Sequence, residues 1–158
     1  MDVQTDFDFD RELIFNELVE AVKRGVAATN IELQARIKVK LSQPGTGKLR
    51  KDGKRSSSPG EPPAPQTGDL RRSFTDAGLT RVRSMAKSIE GTVKQGRGLN
   101  KTKKYARALE YGYSPNNLKP RPYLRPVVRE AKADSLATKL VSFQLEQTAV
   151  QLNARFSS

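Results

Sequence analysis

The chain has 158 residues, of which 35% are hydrophobic and 6% aromatic, with a formal net charge of +12, and this length predicts one domain. It contains no cysteine and no histidine, which excludes disulfides and disfavours zinc sites and serine or cysteine hydrolase triads. No apolar run approaches the roughly 20 residues of a membrane span, and the N-terminus lacks the features of a secretory signal. We therefore expect a soluble protein made in a reducing cytosol.

The first 41 residues predict an acidic, flexible N-terminus (1–9) and then one long helix (10–41). The apolar residues of the helix recur at helical spacing, and an aspartate precedes it as a cap. At 1.5 Å per residue the helix would be roughly 45 Å long, so it must lean on another element or project. Gly25 and Thr29-Asn30 are places where it would kink. Its apolar sector comprises Ile14, Phe15, Leu18, Val19, Val22, Val26, Leu33 and Ile37.

Residues 42–66, called the arm below, contain five of the nine prolines and four of the eleven glycines. This composition predicts an extended, basic, proline-rich loop. Because prolines lower the entropy lost on ordering, we expect the arm to dock on a neighbouring subunit or another protein; a floppy surface loop is the alternative. The candidate partner-binding residues of the arm are Pro59, Gly60, Pro62 and Pro63, and its basic residues are Lys48, Arg50, Lys51, Lys54 and Arg55.

Residues 67–125 predict a small sheet with short helices. Leu70 and Phe74 are four residues apart, which indicates a helical turn, and residues 76–78 read as a turn after it. Residues 79–84 and 88–95 read as strands, the second with apolar and polar residues in alternation. A basic connection follows, and residues 103–113 read as a short helix with Gly112 at its end. Prolines then impose an extended path up to Leu124.

Residues 126–155 predict a final helix with two apolar stripes on opposite faces. A surface helix needs only one stripe, so two indicate a helix packed on both sides. One stripe would meet its own fold and the other a neighbouring copy, although both could lie inside one fold. The first stripe is Leu136, Leu140, Phe143, Val150 and Ala154, and the second is Val141, Leu145, Ala149 and Leu152.

Three motifs follow one another in order: SPGEPPAPQTGDLRRSF (58–74), YARALEYG (105–112) and PRPYLRPVVREA (120–131). Together they resemble the tail-completion, or head–tail joining, family of long-tailed, lambda-like bacteriophages. The matched positions span about 70 residues. They are Ser58, Pro59, Gly60, Glu61, Pro62, Pro63, Thr67, Gly68, Leu70, Arg71, Ser73, Tyr105, Ala106, Leu109, Glu110, Gly112, Pro120, Arg121, Pro122, Tyr123, Leu124, Arg125 and Pro126.

The resemblance implies an α+β fold: a long N-terminal helix, a small antiparallel sheet, a long C-terminal helix and an extended proline-rich loop. It implies a structural virion protein at the neck, or top of the tail, made in the host bacterial cytoplasm, that finishes the tail and enables its joining to the DNA-filled head. A ring of six copies is expected, next to tail terminator, tail tube and head-closure or adaptor proteins. Catalysis, cofactors, metal and membrane contact are not expected.

Several side chains are candidates for contact with other subunits. Tyrosines among prolines and arginines favour packing of a loop on a sheet, with base stacking as the alternative. Arg121 and Arg125 flank Tyr123 and would pair with Glu110 or with a carboxylate of a partner. Beyond the arm, the candidates for subunit contact are Leu70, Arg71, Tyr105, Glu110, Arg121, Tyr123, Arg125, Val141, Leu145 and Leu152.

The positive charge permits two interpretations. Basic residues facing a channel would attract DNA through its phosphates, whereas basic residues facing other proteins would attract acidic surfaces. Besides the basic residues of the arm, the candidates are Arg97, Lys101, Lys103 and Lys104. A nonspecific DNA-binding protein is therefore the alternative function, although helix-turn-helix spacing and zinc ligands are absent. No pair of side chains at informative spacing supports an enzyme.

Overall fold

The computed structural model describes residues 11–74, 80–85, 87–94 and 100–157, with residues 80 and 100–104 described by their backbone only. The predicted acidic N-terminus, residues 1–9, and the predicted turn at 76–78 lie outside these ranges. Within them the chain has the predicted α+β fold. Its elements are α1 (Arg11–Lys40), α2 (Asp69–Arg72), β1 (Thr80–Met85), β2 (Ser88–Val93), α3 (Asn100–Tyr111), α4 (Leu124–Ala133) and α5 (Leu136–Phe156).

Helix α1 is the central element, because β1, β2, α4 and α5 all pack against it. It continues through Gly25 and Thr29-Asn30 without interruption. The predicted apolar sector is only partly its buried face, since the Phe15 side chain is 66% exposed. The helix is covered on more than one side, so small and polar residues such as Ala21 and Asn30 are buried as well.

Helix α5 runs antiparallel to α1 and approaches it very closely at Gly25. A Cβ atom built on Gly25 would lie 2.6 Å from the Cα of Val141, so only glycine permits this backbone separation. Further along, Arg24 donates a hydrogen bond of 2.9 Å from Nη2 to the hydroxyl of Thr148. The buried Thr148 in turn donates to the Gln144 carbonyl. The two longest helices therefore pair over much of their length.

The sheet is one antiparallel hairpin that lies on α1. Val82 pairs with Gly91, and their face of the sheet is the one turned toward α1. A Cβ on Gly91 would lie 2.6 Å from a methyl group of Val26, and Asn30 donates to the Arg81 carbonyl at 3.5 Å. The other face, which carries Arg81, Arg83, Met85, Ser88, Glu90 and Thr92, is exposed.

The largest cluster of buried apolar residues lies at the C-terminal end of α1. It joins that end to the first turn of α4, to α2 and to α3. The buried Gln34 side chain lies in the same region, where its amide nitrogen donates a hydrogen bond to the Phe74 carbonyl. The members of the cluster are Ile37, Leu41, Leu70, Phe74, Ala106, Tyr123 and Val127.

The predicted single C-terminal helix, residues 126–155, is wrong in one respect: the structure divides it into α4 and α5. Ser135 has φ 51° and ψ 38°, the left-handed conformation, and this ends α4 and redirects the chain. Two ion pairs hold α4 along α1 before the break, Lys40–Glu130 at 2.9 Å and Arg36–Asp134 at 2.7 Å. The break lets both segments follow the surface of α1.

Among the described helices, none combines the length and the apolar character needed to cross a bilayer. The same part of the chain holds no cluster of three or more acidic side chains that would bind a metal ion.

Candidate functional site

A buried carboxylate holds the start of α4. Glu110, at the end of α3, is 2% exposed. Its Oε2 accepts from the backbone N–H groups of Tyr123 (2.8 Å) and Leu124 (3.0 Å), and its Oε1 accepts from that of Arg125 (3.0 Å). The first N–H groups of a helix have no acceptor within the helix and form its positive end. Glu110 supplies these acceptors from another helix.

Arg125 completes this arrangement. Its Nε lies 3.2 Å from Glu110 Oε1, and its Nη2 donates to the Glu110 carbonyl at 2.8 Å. Its guanidinium also stacks over the Tyr111 ring, 5.0 Å from the centroid. Of the two arginines predicted to pair with Glu110, the structure therefore selects Arg125, while Arg121 donates to the Ser57 carbonyl at 3.1 Å.

The hydrogen bonds to Glu110 lower its pKa and so favour the ionised carboxylate. Burial alone would raise its pKa, but the three backbone N–H donors and Arg125 outweigh burial and hold the pKa below its usual 4.5. The carboxylate is therefore ionised at neutral pH. Its role is to fix α3 against α4.

The tyrosines divide into one core residue and three surface residues. Tyr123 is 1% exposed and meets Phe74 edge to face, with ring centroids 6.3 Å apart. Burial, and then the nearby Glu110 charge, raise the pKa of Tyr123. The packing interpretation thus holds for Tyr123, whose burial leaves it no part in a subunit contact. Tyr105, Tyr111 and Tyr113 are exposed.

The arm is not extended throughout; the structure folds it back onto its own chain. The Gly60 N–H donates to the Pro120 carbonyl at 2.9 Å. The Glu61 carboxylate accepts from the Ser58 N–H at 2.9 Å and from both the N–H and the hydroxyl of Thr46. These bonds, led by the Thr46 hydroxyl, lower the pKa of Glu61. Local hydrogen bonds thus supply part of the order that a partner was expected to supply.

Within the arm, residues 47–56 form a small β-like ladder, called the basic hairpin below. The Gly47 N–H donates to the Ser56 carbonyl (2.8 Å), the Ser56 N–H to the Lys48 carbonyl (3.0 Å), and the turn closes at Gly53 with φ 75°. The hairpin carries five basic residues and one acidic residue, Asp52, whose carboxylate lies 3.8 Å from Arg50 Nε. All five predicted basic residues of the arm are exposed on it: Lys48, Arg50, Lys51, Lys54 and Arg55.

The three motifs of the sequence come together in one place. The segment 58–74 contacts 120–126 through Gly60, and its Phe74 ring meets Tyr123. The segment 105–112 contacts 120–126 through Glu110, and the Leu109 carbonyl accepts from the Arg121 N–H at 2.6 Å. Three motifs spread over about 70 residues of sequence therefore meet in one hydrogen-bonded unit.

This unit borders a cavity of about 600 Å³, called the arm groove below. The groove lies between the segment Pro63-Ala64-Pro65, α2 and α3. Its lining is mainly apolar, with Leu41, Leu70, Leu109 and Leu118 among the lining residues and Arg121 beside them. A second cavity of about 540 Å³ adjoins it along residues 64–68 and is bordered by Lys54 and Arg55 of the basic hairpin. Basic side chains thus border an apolar depression.

The two stripes of the C-terminal helix take different roles. Val141, Leu145 and Leu152, predicted to contact a partner, lie on the face turned to α1: Val141 packs on Gly25, and Leu152 borders a small cavity with Glu17. The opposite stripe is buried at its start, where Leu136 is 9% exposed and Leu140 is half-buried, and it is exposed from Phe143 onward. Its members Phe143 (52% exposed), Val150 (65% exposed) and Ala154 are called the outer face of α5 below.

The remaining predicted residues vary in exposure. Pro59, Gly60 and Arg71 are exposed, Pro62 is half-buried, and Pro63 and Leu70 are buried. Leu70 therefore serves the core. Arg97 lies outside the described residues, as do the side chains of Lys101, Lys103 and Lys104.

Sequence reasoning missed Gly25 as a packing position and Gly47–Ser56 as a hairpin. A glycine inside a helix that is otherwise rich in good helix formers was the available signal for Gly25. The signal for the hairpin was Lys-Asp-Gly at residues 51–53, a turn sequence between two short segments.

Comparison of the chain with protein-family models, with curated proteins and with solved structures found no match.

Proposed function

We propose that the chain is a tail-completion subunit of a long-tailed bacteriophage, a structural virion protein that finishes the top of the tail and enables its joining to the DNA-filled head. The observation that carries this proposal is the convergence of the three motifs that resemble that family. Glu110 and the Leu109 carbonyl hold 105–112 against 120–126, and the Tyr123 ring packs 120–126 against Phe74 of 58–74. The resemblance thus corresponds to one structural unit.

The outer face of α5 supports an oligomer. Phe143 and Val150 are large apolar side chains on one stripe of a helix whose opposite stripe already packs on α1. Contiguous exposed apolar surface marks sites of protein association. A second copy of the chain, arranged in a ring, would cover it, and the resemblance implies six copies. The neighbouring proteins above and below this ring would be the tail terminator, the tail tube and the head-closure or adaptor proteins.

The basic hairpin favours the alternative function, a nonspecific DNA-binding protein. Five exposed cations on one short ladder would neutralise phosphates without reading sequence. In a neck ring the same hairpin would contact DNA in the channel or an acidic surface of the next ring. The two functions can be distinguished with the protein alone. The DNA-binding alternative requires affinity for free duplex DNA, whereas the tail-completion function does not.

The deciding experiment mixes the purified chain with phage tails that lack their completion protein and images the tails by electron microscopy. We expect rings at the upper end of the tail, and recovery of infectious particles when filled heads are added. The matched control is Phe143→Ser/Val150→Ser, which should keep the fold but fail to occupy tails. A chain that never joins tails would overturn the proposal.

A salt titration of duplex DNA binding tests the alternative. Neutralisation of five phosphates gives a slope of about −4 to −5 in a plot of log affinity against log salt concentration. Such a slope, reduced to about −3 in a Lys51→Ser/Lys54→Ser variant because three cations remain, together with no occupancy of tails, would favour the DNA-binding protein.

A further inference from the structure

The arm groove has the properties of a peptide-binding site. Its volume of about 600 Å³ lies within the range of roughly 300–1,000 Å³ of ligand pockets. Because a cavity of about 150 Å³ holds one benzene ring, the groove has room for two phenyl side chains. Its floor is apolar, and Arg121, Lys54 and Arg55 border it or the adjoining cavity. The acidic residue in the lining, Asp69, is already paired with Arg72. The groove therefore suits an acidic peptide with two aromatic residues.

The first ten residues, MDVQTDFDFD, have this composition. They contain four aspartates, no lysine and no arginine, and they place Phe7 and Phe9 two residues apart with Asp8 between them. In an extended peptide, residues i and i+2 point to the same side. Both rings would therefore face one surface while Asp6, Asp8 and Asp10 face the opposite side or the rim.

The length of α1 prevents this segment from reaching the groove of its own copy. The 30 residues of α1 span about 45 Å, and Leu41, which lines the groove, follows the far end of the helix. Phe7 lies four residues before Arg11, so a fully extended chain carries it at most about 14 Å from Arg11. The distance from Phe7 to Leu41 is therefore at least roughly 30 Å. A groove occupied by Phe7 and Phe9 would have to belong to another molecule.

We propose that residues 1–10 of one copy dock in the arm groove of a second copy, with Phe7 and Phe9 on the apolar floor and the aspartates beside Arg121, Lys54 and Arg55. This inference deepens the proposed function, on which it rests, by naming a contact that joins adjacent subunits. The contact is head-to-tail: each copy gives a segment at one end of α1 and receives one at the other. Head-to-tail contacts close into rings when the rotation between copies permits.

Direct binding is measured first, by fluorescence anisotropy with a labelled peptide of residues 1–11. The receptor is the full chain carrying Phe7→Ser/Phe9→Ser, whose own segments do not compete. We expect saturable binding, about tenfold or more weaker for a peptide with one phenylalanine replaced by serine. We also expect weaker binding at high salt, because charge contributes. A scrambled peptide of the same composition is the control. Equal binding of the scrambled peptide, or none of the native one, overturns the inference.

Receptor variants locate the site. Leu118→Glu places a carboxylate in the apolar lining of the groove, and Lys54→Glu/Arg55→Glu reverses the charge at two exposed positions beside the adjoining cavity. Each should weaken peptide binding several-fold or more. Lys139→Glu, a charge reversal at an exposed position of α5 that lines neither cavity, should reduce peptide binding far less. Loss of binding in Lys139→Glu to the same extent would mean that only net charge matters.

A mixing experiment tests the head-to-tail geometry. The Phe7→Ser/Phe9→Ser variant keeps its groove but lacks a segment to donate, and Leu118→Glu keeps its segment but lacks a groove. Native mass spectrometry should find each variant alone less assembled than the unmodified chain, and an equal mixture should form a 1:1 complex that neither variant forms alone. Lys54→Glu/Arg55→Glu replaces Leu118→Glu if the latter is unfolded by circular dichroism.

The outcomes separate this inference from the proposed function. If Phe7→Ser/Phe9→Ser assembles and occupies tails as the unmodified chain does, the docking inference fails while the proposed function stands. If the peptide binds and the mixture forms the 1:1 complex, but no chain joins tails, the proposed function fails and the docking contact remains.

Discussion

Replacing Glu110 tests the central structural unit. In Glu110→Gln the amide oxygen still accepts two of the three backbone N–H bonds, but an NH₂ group now faces a donor and the charge is lost. A single helix cap contributes about 0.5–2 kcal/mol, and a hydrogen bond to a charged group about 1.5–3 kcal/mol. The half-exposed Arg125 pair adds little. We therefore expect Glu110→Gln to lower the free energy of unfolding by about 2 kcal/mol and Glu110→Ala by about 3–4 kcal/mol.

Urea unfolding followed by circular dichroism measures this loss. With an m-value of about 2 kcal/mol/M, a change of 2 kcal/mol lowers the midpoint by about 1 M. Glu146→Gln removes an exposed carboxylate of α5 and is the matched control, with an expected midpoint within the error of the unmodified chain. An unchanged midpoint in Glu110→Gln at pH 7 would refute the role of Glu110 in holding α4.

The pH dependence gives a second test of the same residue. The folded-state pKa of Glu110 lies below its usual 4.5, so the folded chain binds the proton less readily than the unfolded chain. The stabilisation is fully present above about pH 4.5–5 and is lost as the pH falls through the folded-state pKa. The difference in unfolding free energy between the unmodified chain and Glu110→Gln should therefore narrow on acidification. A difference that stays constant from pH 7 to pH 3 would contradict this.

Three further changes test other features. Gly25→Ala should lower the melting temperature by several degrees, because the added Cβ would meet the Val141 backbone. The gain in helix propensity of about 1 kcal/mol is smaller than the cost of separating the two helices. An unchanged melting temperature would show that α1 and α5 are not in close contact. Phe143→Ser/Val150→Ser should leave the urea midpoint nearly unchanged while reducing self-association in sedimentation velocity; a large fall in midpoint would mean that these side chains are buried. Glu61→Ala should speed trypsin cleavage within the basic hairpin by removing the acceptor that holds the arm, whereas an equal cleavage rate would show that this carboxylate does not order the arm.

The helices and strands could be predicted from local pattern, but two departures could not. Helix α1 runs from Arg11 to Lys40, within one residue of its predicted bounds of 10 and 41, because the spacing of its apolar residues is a local signal. The break at Ser135 has no glycine or proline to mark it. It arises from the fit of α4 and α5 to α1, and a serine adopts the left-handed conformation there because tertiary packing compensates for its cost.

The candidate site was predictable as a set of motifs but not as a geometry. Glu110 and Arg125 are 15 residues apart, and sequence alone left Arg121 and Arg125 as equal candidates for the pair. The helix start at Leu124 decides between them, since it turns the backbone N–H groups of 123–125 toward Glu110. Which stripe of α5 is exposed likewise depends on Gly25, a residue more than one hundred positions away.

The pairing of α1 with α5 also affects how the protein is made. About one hundred residues separate the end of α1 from the start of α5. At a synthesis rate of about 5–20 residues per second, α1 waits roughly 5–20 s on the ribosome before its partner helix is translated. During that interval the apolar side chains of α1 can be covered only by β1, β2 and the shorter helices. Translation speed and nascent-chain chaperones should therefore influence the yield of this protein more than that of a domain whose neighbouring helices are consecutive in sequence.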